Sequence, residues 1–192
     1  MKPEPSACAA VLTAAGLSSR MNSPKALLDW KGKPLILHQL AVLSNFGQII
    51  VVTGFEAEKI RPYLFYPVIE ALNENYLSGR TSSLKCGFSR LKPCSNVLVC
   101  GVDQPMDFGL PEKLLEALGN HSYSFPVFEE KKGHPLLFNG RLLSDLLEIE
   151  EESEGLRAIA KKYSAEAIAI PWASPSVLAD LNTPADLANW IK

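Results

Sequence analysis

Apolar positions along the chain fall into two patterns. Short continuous runs alternate with stretches in which apolar residues return every three or four positions. Cys8 to Ala14 is an apolar run bounded by small residues and predicts a fully buried strand. Gln48 to Thr53 is β-branched and predicts a second. Tyr66 to Ala71, Asn96 to Cys100, Ser122 to Val127 and Ala165 to Ile170 predict further strands, and Lys131 to Phe138 one that leaves a turn. Between them, Leu35 to Asn45 carries Ile36, Leu40 and Leu43 at helical spacing, with Pro34 at the first turn. Thr81 to Leu91 has hydroxyl residues at its start and Leu84, Phe88 and Leu91 on one face, which predicts a helix. Glu56 to Tyr63, Leu110 to Leu118, Leu142 to Leu147, Leu156 to Tyr163 and Pro184 to Trp190 complete the helical set. Strands alternating with helices predict an α/β fold, Rossmann-like, with a mostly parallel sheet and helices on both faces. Ligands of such sheets bind beyond the carboxyl ends of the strands. The turn after the first strand and Asp103 after the fourth both fall on that rim.

Composition narrows the classes. With 192 residues, 47% of them hydrophobic, and neither an internal repeat nor a long linker, residues 1–192 read as one domain with a sizeable core. The net charge of −2 gives no electrostatic footprint for nucleic acid or anionic lipid. No stretch approaches the ~20 apolar residues of a membrane span, and Met-Lys-Pro-Glu-Pro-Ser has no apolar leader core. A cytoplasmic location is expected. Cys8, Cys86, Cys94 and Cys100 match no zinc spacing and read as reduced thiols, Cys8 and Cys100 in core strands. The acidic run Glu148 to Glu154 reads as a solvated loop or helix end.

The candidate chemistry starts at the first strand's end. Ala14-Ala15-Gly16 is a small-residue turn that lets backbone N–H groups approach phosphate oxygens. Arg20 and Lys25 follow as fixed cations of the kind phosphoryl transfer needs. The segment is neither a Walker A loop nor a G-x-G-x-x-G fingerprint. Triphosphate chemistry also needs magnesium, which takes few carboxylates plus phosphate oxygens and water. Asp103, just past a buried strand, is one candidate ligand; its alternative is a turn cap ahead of Pro105. In Asn182-Thr183-Pro184 either Asn182 or Thr183 reads as a helix cap, and Asn182 can ligate through its carbonyl oxygen. Arg20 and Lys25 have the alternative of plain surface charges, and Ser82 and Ser83 that of capping their helix.

Taken together the motifs resemble the MobA-like nucleotidyltransferases, most closely the branch that attaches cytidylyl groups to the molybdenum cofactor. The pieces are Thr13-Ala14-Ala15-Gly16, Ser19-Arg20-Met21, Pro24-Lys25-Ala26-Leu27-Leu28, Gly79-Arg80-Thr81-Ser82-Ser83-Leu84, Val102-Asp103-Gln104-Pro105, Gly133-His134-Pro135 and Asn182-Thr183-Pro184-Ala185-Asp186-Leu187. The resemblance implies a nucleotide-diphospho-sugar transferase-like fold that binds a nucleoside triphosphate with magnesium. In this family an acceptor phosphate attacks the α-phosphorus and pyrophosphate leaves. It also implies residue roles. Ala14, Ala15 and Gly16 lie along the nucleotide, Arg20 and Lys25 hold its phosphates, and Ser82 and Ser83 lie near base and ribose. Asp103 and Asn182 hold magnesium, while Gly133 and His134 face the pterin acceptor. His134 reads equally as a turn residue.

Three positions depart from the family pattern: Asn22 stands where Gly is usual after Arg-Met, Lys132 where Arg often precedes Gly-His-Pro, and Asn182 where cytidylyl members often have Asp. Asn tolerates positive φ better than most residues, so the turn can survive. The Ala-Ala-Gly turn favours the cytidylyl branch. The expected reaction is transfer of CMP from CTP to molybdopterin, with a molybdoenzyme or its maturation chaperone as a further partner. The rivals are guanylyl transfer, a sugar phosphate or other small phosphate as acceptor, and a non-catalytic protein that delivers the cofactor.

Overall fold

The computed structural model describes residues 4–21 and 23–190; the Asn22 departure lies outside the described residues. The chain runs β1 (Ala9–Thr13), a short hairpin of β2 (Asp29–Trp30) and β3 (Lys33–Pro34), α1 (Leu35–Val42), β4 (Gln48–Thr53), α2 (Ala57–Ile60) and β5 (Val68–Leu72). It continues with α3 (Arg80–Phe88), β6 (Asn96–Gly101), α4 (Leu110–Leu118), β7 (Tyr123–Phe128), β8 (Lys131–Lys132) and β9 (Leu136–Asn139). Last come α5 (Leu143–Leu147), α6 (Leu156–Lys162), β10 (Ala167–Pro171) and α7 (Pro184–Trp190).

One sheet has the order β10-β7-β9-β6-β1-β4-β5, with β8 paired to β7. β1 runs parallel to both β4 and β6, and β4 parallel to β5. Within this sheet, among the described residues, β8 and β9 run against their neighbours. The register sets Thr13 beside Val52 on one side and Gly101 on the other, so three strands end together. The loops after β1 and β6 must therefore emerge side by side.

Alternation along β1 sorts the core into two layers. Ala10 and Leu12 pack with Leu35, Ile36 and Val42 of α1 and Leu110, Leu114 and Leu118 of α4. Val11 faces the other way, onto Leu84 and Phe88 of α3, Leu146 of α5 and Ile159 of α6. Each fully buried Leu or Phe here is worth about 1.5–3 kcal/mol relative to exposure. Trp30 is buried, and Trp172 and Trp190 pack against the first layer.

Four elements differ from the sequence reading. The strand expected over Lys131 to Phe138 is split at Gly133-His134-Pro135: Pro135 has no N–H for a ladder, and the His134 N–H donates to the Val177 carbonyl at 2.8 Å. The Glu56 to Tyr63 helix is one α-turn followed by a 3-10 turn at Arg61–Tyr63, because Pro62 cannot continue the helical bonding. The hairpin of β2 and β3 was not expected; Lys31 and Gly32 both have positive φ, and Asp29 Oδ1 accepts from the Gly32 N–H at 2.8 Å. Helix α3 begins at Arg80, not Thr81, and no hydroxyl caps it. Its free N–H at Thr81 donates instead to Glu151 Oε2 at 2.8 Å. Glu151 comes from the acidic run read as a solvated loop.

Candidate functional site

The loops after β1 and β6 and the segment before α7 converge on one side chain. Lys25 Nζ donates to Asp103 Oδ2 and to Asn182 Oδ1, both at 2.7 Å. These residues are 78 and 157 positions away from Lys25 in sequence. Backbone bonds stitch the three segments together: the Val102 N–H donates to the Thr13 carbonyl and the Leu181 N–H to the Asp103 carbonyl, each at 2.9 Å. The Lys25 N–H donates to Ser18 Oγ at 3.0 Å, which anchors the loop that carries the ammonium.

Capping and ligand roles at the last segment separate cleanly. Thr183 caps α7: Asp186 Oδ2 accepts from the Thr183 N–H at 2.7 Å and from its hydroxyl at 2.9 Å, while the Asp186 N–H returns to Thr183 Oγ1. Those contacts, from the Thr183 hydroxyl first, hold the Asp186 carboxyl below the usual carboxylate range. The Asn182 side chain is left to face Lys25.

Asp103 is held in place from behind by Gln39, which is fully buried on α1. Its amide nitrogen donates to the carbonyls of Gly101, Val102 and Gln104, and its oxygen accepts from the Met106 N–H at 3.1 Å. A Cβ at Gly101 would lie 2.4 Å from Asp103 Oδ1, so only glycine lets the carboxylate turn back over the strand end. Gln39→Leu is expected to lower the free energy of unfolding by about 2–4 kcal/mol, because four backbone groups lose a hydrogen bond, and of these the Gly101 carbonyl keeps another from the Gln104 N–H. Urea unfolding checks this; a loss of only a few tenths would mean that the loop does not depend on Gln39.

A cleft of about 210 Å³ opens beside Lys25. Thr13, Ala14, Ala15 and Gly16 line it, together with Asp103, Tyr76, Gly79, Arg80 and Ser83. A Cβ at Gly16 would meet no atom within 4 Å, so the space over this turn is open to something from outside the chain. Gly79 has φ of +97°, a conformation that side chains disfavour, and this turn delivers Arg80 and α3 to the cleft.

A larger cavity of about 730 Å³ adjoins it and contains Gly133 and His134 together with Lys132, Arg157, Lys161 and Asp180. Burial first, and then the Arg80 charge, push the His134 imidazole below its ordinary range, so at neutral pH it is uncharged. The Lys132 ammonium lies over the rings of Tyr123 and Phe125, 4.6 and 4.3 Å from their centroids.

Two candidates stand apart from the cluster. Arg20 is exposed on the turn beyond Gly16 and lines neither cavity; its charge reaches Asp186 instead. The Ser82 hydroxyl is bonded to Asn73 and to the Asn75 and Gly79 carbonyls and lines neither cavity, whereas the buried Ser83 reaches the cleft. The cysteines take no part: Cys100 is buried in β6 and its thiol is pushed up to about 12. Sequence reasoning missed Gln39, Arg157 and Lys161, and it named Arg80, Lys132 and Asp180 only within motifs, with no role of their own. Gln39 had a signal, a lone amide among the apolar residues of α1; the others carry ordinary surface charges whose convergence only folding reveals.

Known proteins share this chain's fold and family motifs over most of its length. A Nostoc sp. (strain PCC 7120) protein named probable molybdenum cofactor guanylyltransferase is 26% identical over 195 aligned positions, 93% of this chain and 88% of that protein. One of the same name from Bacillus mycoides is 33% identical over 84 residues; there the chain spans 42% of its relative's length. The solved structure of a nucleotidyl transferase from Methanothermobacter thermautotroptrophicus superposes with a TM-score of 0.76 at 22% identity, over 96% of this chain and 95% of the other. The model of the MobA-like NTP transferase domain matches residues 10–167, from β1, which opens the cleft, to the start of β10. The chain belongs to the MobA-like NTP transferase domain family.

Proposed function

We propose that residues 1–192 act as one nucleotidyltransferase unit that moves CMP from CTP to the terminal phosphate of a molybdopterin-type acceptor, in the cytoplasm. One observation carries this reading. A cation, the Lys25 ammonium, is held between a carboxylate and an amide oxygen at the mouth of a small-walled cleft. Two hard oxygen donors already arranged around a positive charge suit a divalent ion, and magnesium needs few protein ligands when phosphates and water supply the rest. Asp103 and Asn182 would hold it, and it would neutralise charge on the triphosphate.

The residues have distinct tasks. Ala14, Ala15 and Gly16 give the triphosphate a close backbone approach, with Ser83 on the nucleoside side of the cleft and Ser82 bracing the loop beneath it. With nucleotide bound, the Lys25 ammonium leaves Asp103 and Asn182 for the α-phosphate oxygens and stabilises the charge that grows there. Arg20 meets the outer phosphates from the rim. Gly133 and His134 face the acceptor; the uncharged imidazole offers it one N–H and one lone pair. An acceptor phosphate oxygen bonds to the α-phosphorus, the bond from that phosphorus to the β-phosphate oxygen breaks, and the electron pair departs with pyrophosphate. The attacking oxygen is already anionic, so no general base is required.

A second reading, GMP transfer from GTP, is favoured by the names of the curated relatives. CTP is kept first because the turn reads Ala14-Ala15-Gly16. Pyrophosphate release with molybdopterin, magnesium and each of CTP, GTP, ATP and UTP separates the readings. CTP is expected to lead in kcat/KM by about tenfold or more, a difference of roughly 1.4 kcal/mol in transition-state binding. A clear lead for GTP overturns the choice of base. No pyrophosphate with any nucleotide overturns molybdopterin as the acceptor, and nucleotide binding without release favours a carrier of the cofactor.

A further inference from the structure

Among the described residues, Arg80 alone lines both cavities, the 210 Å³ cleft beside Lys25 and the 730 Å³ chamber that contains His134. In a displacement between two ligands, one in each space, the bond-forming atoms must meet where the spaces join. Resting on the transferase reading above, we propose that Arg80 is a further catalytic residue whose guanidinium holds the attacking acceptor phosphate at this junction.

Three features support the placement. Arg80 follows Gly79, whose φ of +97° makes the turn that carries Arg80 from the lining of the cleft to that of the chamber. Thr81, next in line, is bonded through its N–H to Glu151, which fixes the start of α3. The Arg80 side chain is exposed to the site, and its positive charge is felt on both sides, at Cys100 under the cleft and at His134 and Glu151 in the chamber. A planar guanidinium can bond two phosphate oxygens at once, which orients the nucleophile as well as attracting it. It binds the phosphate whose oxygen forms the new bond to the α-phosphorus while pyrophosphate leaves, and it takes no proton.

Arg80→Met and Arg80→Lys test the assignment. In steady-state assays with molybdopterin as acceptor, Arg80→Met is expected to lower kcat/KM for the acceptor about 10²-fold, with the nucleotide dissociation constant changed by less than about threefold. Arg80→Lys should recover part of the rate, since it restores the charge without the fork. A second measurement does not depend on the acceptor. Inorganic phosphate is titrated, by phosphorus NMR, into protein loaded with α,β-methylene-CTP, where Arg80→Met is expected to bind it about tenfold more weakly. Equal phosphate affinity in both proteins, no phosphate binding by the wild type, or a wild-type kcat/KM in Arg80→Met overturns the assignment. If phosphate binding is lost in Arg80→Met while no nucleotide is turned over, the Arg80 site stands and the transferase reading falls.

Discussion

Asp103→Ala is expected to lower kcat by about 10³-fold or more with any nucleotide, because on the proposed reading Asp103 would hold the metal, and among the described residues it is the only carboxylate that lines the cleft. The same carboxylate accepts from Lys25 Nζ at 2.7 Å, so its loss also frees the ammonium from its resting place. Asp103→Asn separates the two effects. It keeps size and hydrogen bonding but drops the charge, and it should be nearly as inactive as the alanine variant. Asp103 is part-exposed at the rim and its loop is braced by Gln39, so circular dichroism should find both variants folded. A kcat within about tenfold of wild type in both, with the fold intact, would remove Asp103 from the site.

Lys25→Met is expected to lower kcat by about 10²-fold, with a smaller effect on nucleotide affinity, as for loss of one transition-state donor. The geometry adds a second readout. In the free protein the ammonium lies between Asp103 and Asn182, the two residues that the proposed function gives to a divalent ion. Without it, manganese should bind the nucleotide-free protein more tightly than it binds the wild type, because no resident charge must be displaced. Calorimetric titration of manganese measures this directly. Weaker manganese binding by Lys25→Met would mean that the ammonium does not compete for those oxygens.

Much of the architecture was legible because period and composition encode it locally. β4 and α4 fall within the bounds read from sequence, since a β-branched run buried on both faces and a helix with Leu110, Leu114 and Leu118 on one side each have one stable solution. The first-strand turn and Asp103 were legible from their places at strand ends, while Lys25, Asp103 and Asn182 were named together through the motifs' resemblance to the MobA-like family, and folding brings those three side chains within hydrogen-bond distance. The errors sit where a local rule was overridden. The start of α3 looked self-capped, but Glu151, 70 residues away, supplies the cap. Lys131 to Phe138 looked continuous, but the Val177 carbonyl pulls His134 out of the ladder.

By itself the sequence determined the alternation of strands and helices, the small-residue turn, and the residue types available for phosphate and metal. These follow from side-chain volume, backbone freedom and charge, which act within a few positions. Tertiary structure alone decided that Lys25 rests between Asp103 and Asn182, that Gln39 braces the loop beneath them, that Arg20 stays at the rim, and that Arg80 stands where two cavities meet. Those relations join segments up to 157 residues apart. They arise only when parallel pairing brings the ends of β1 and β6 to the same edge, a consequence of sheet order and register that no local pattern carries.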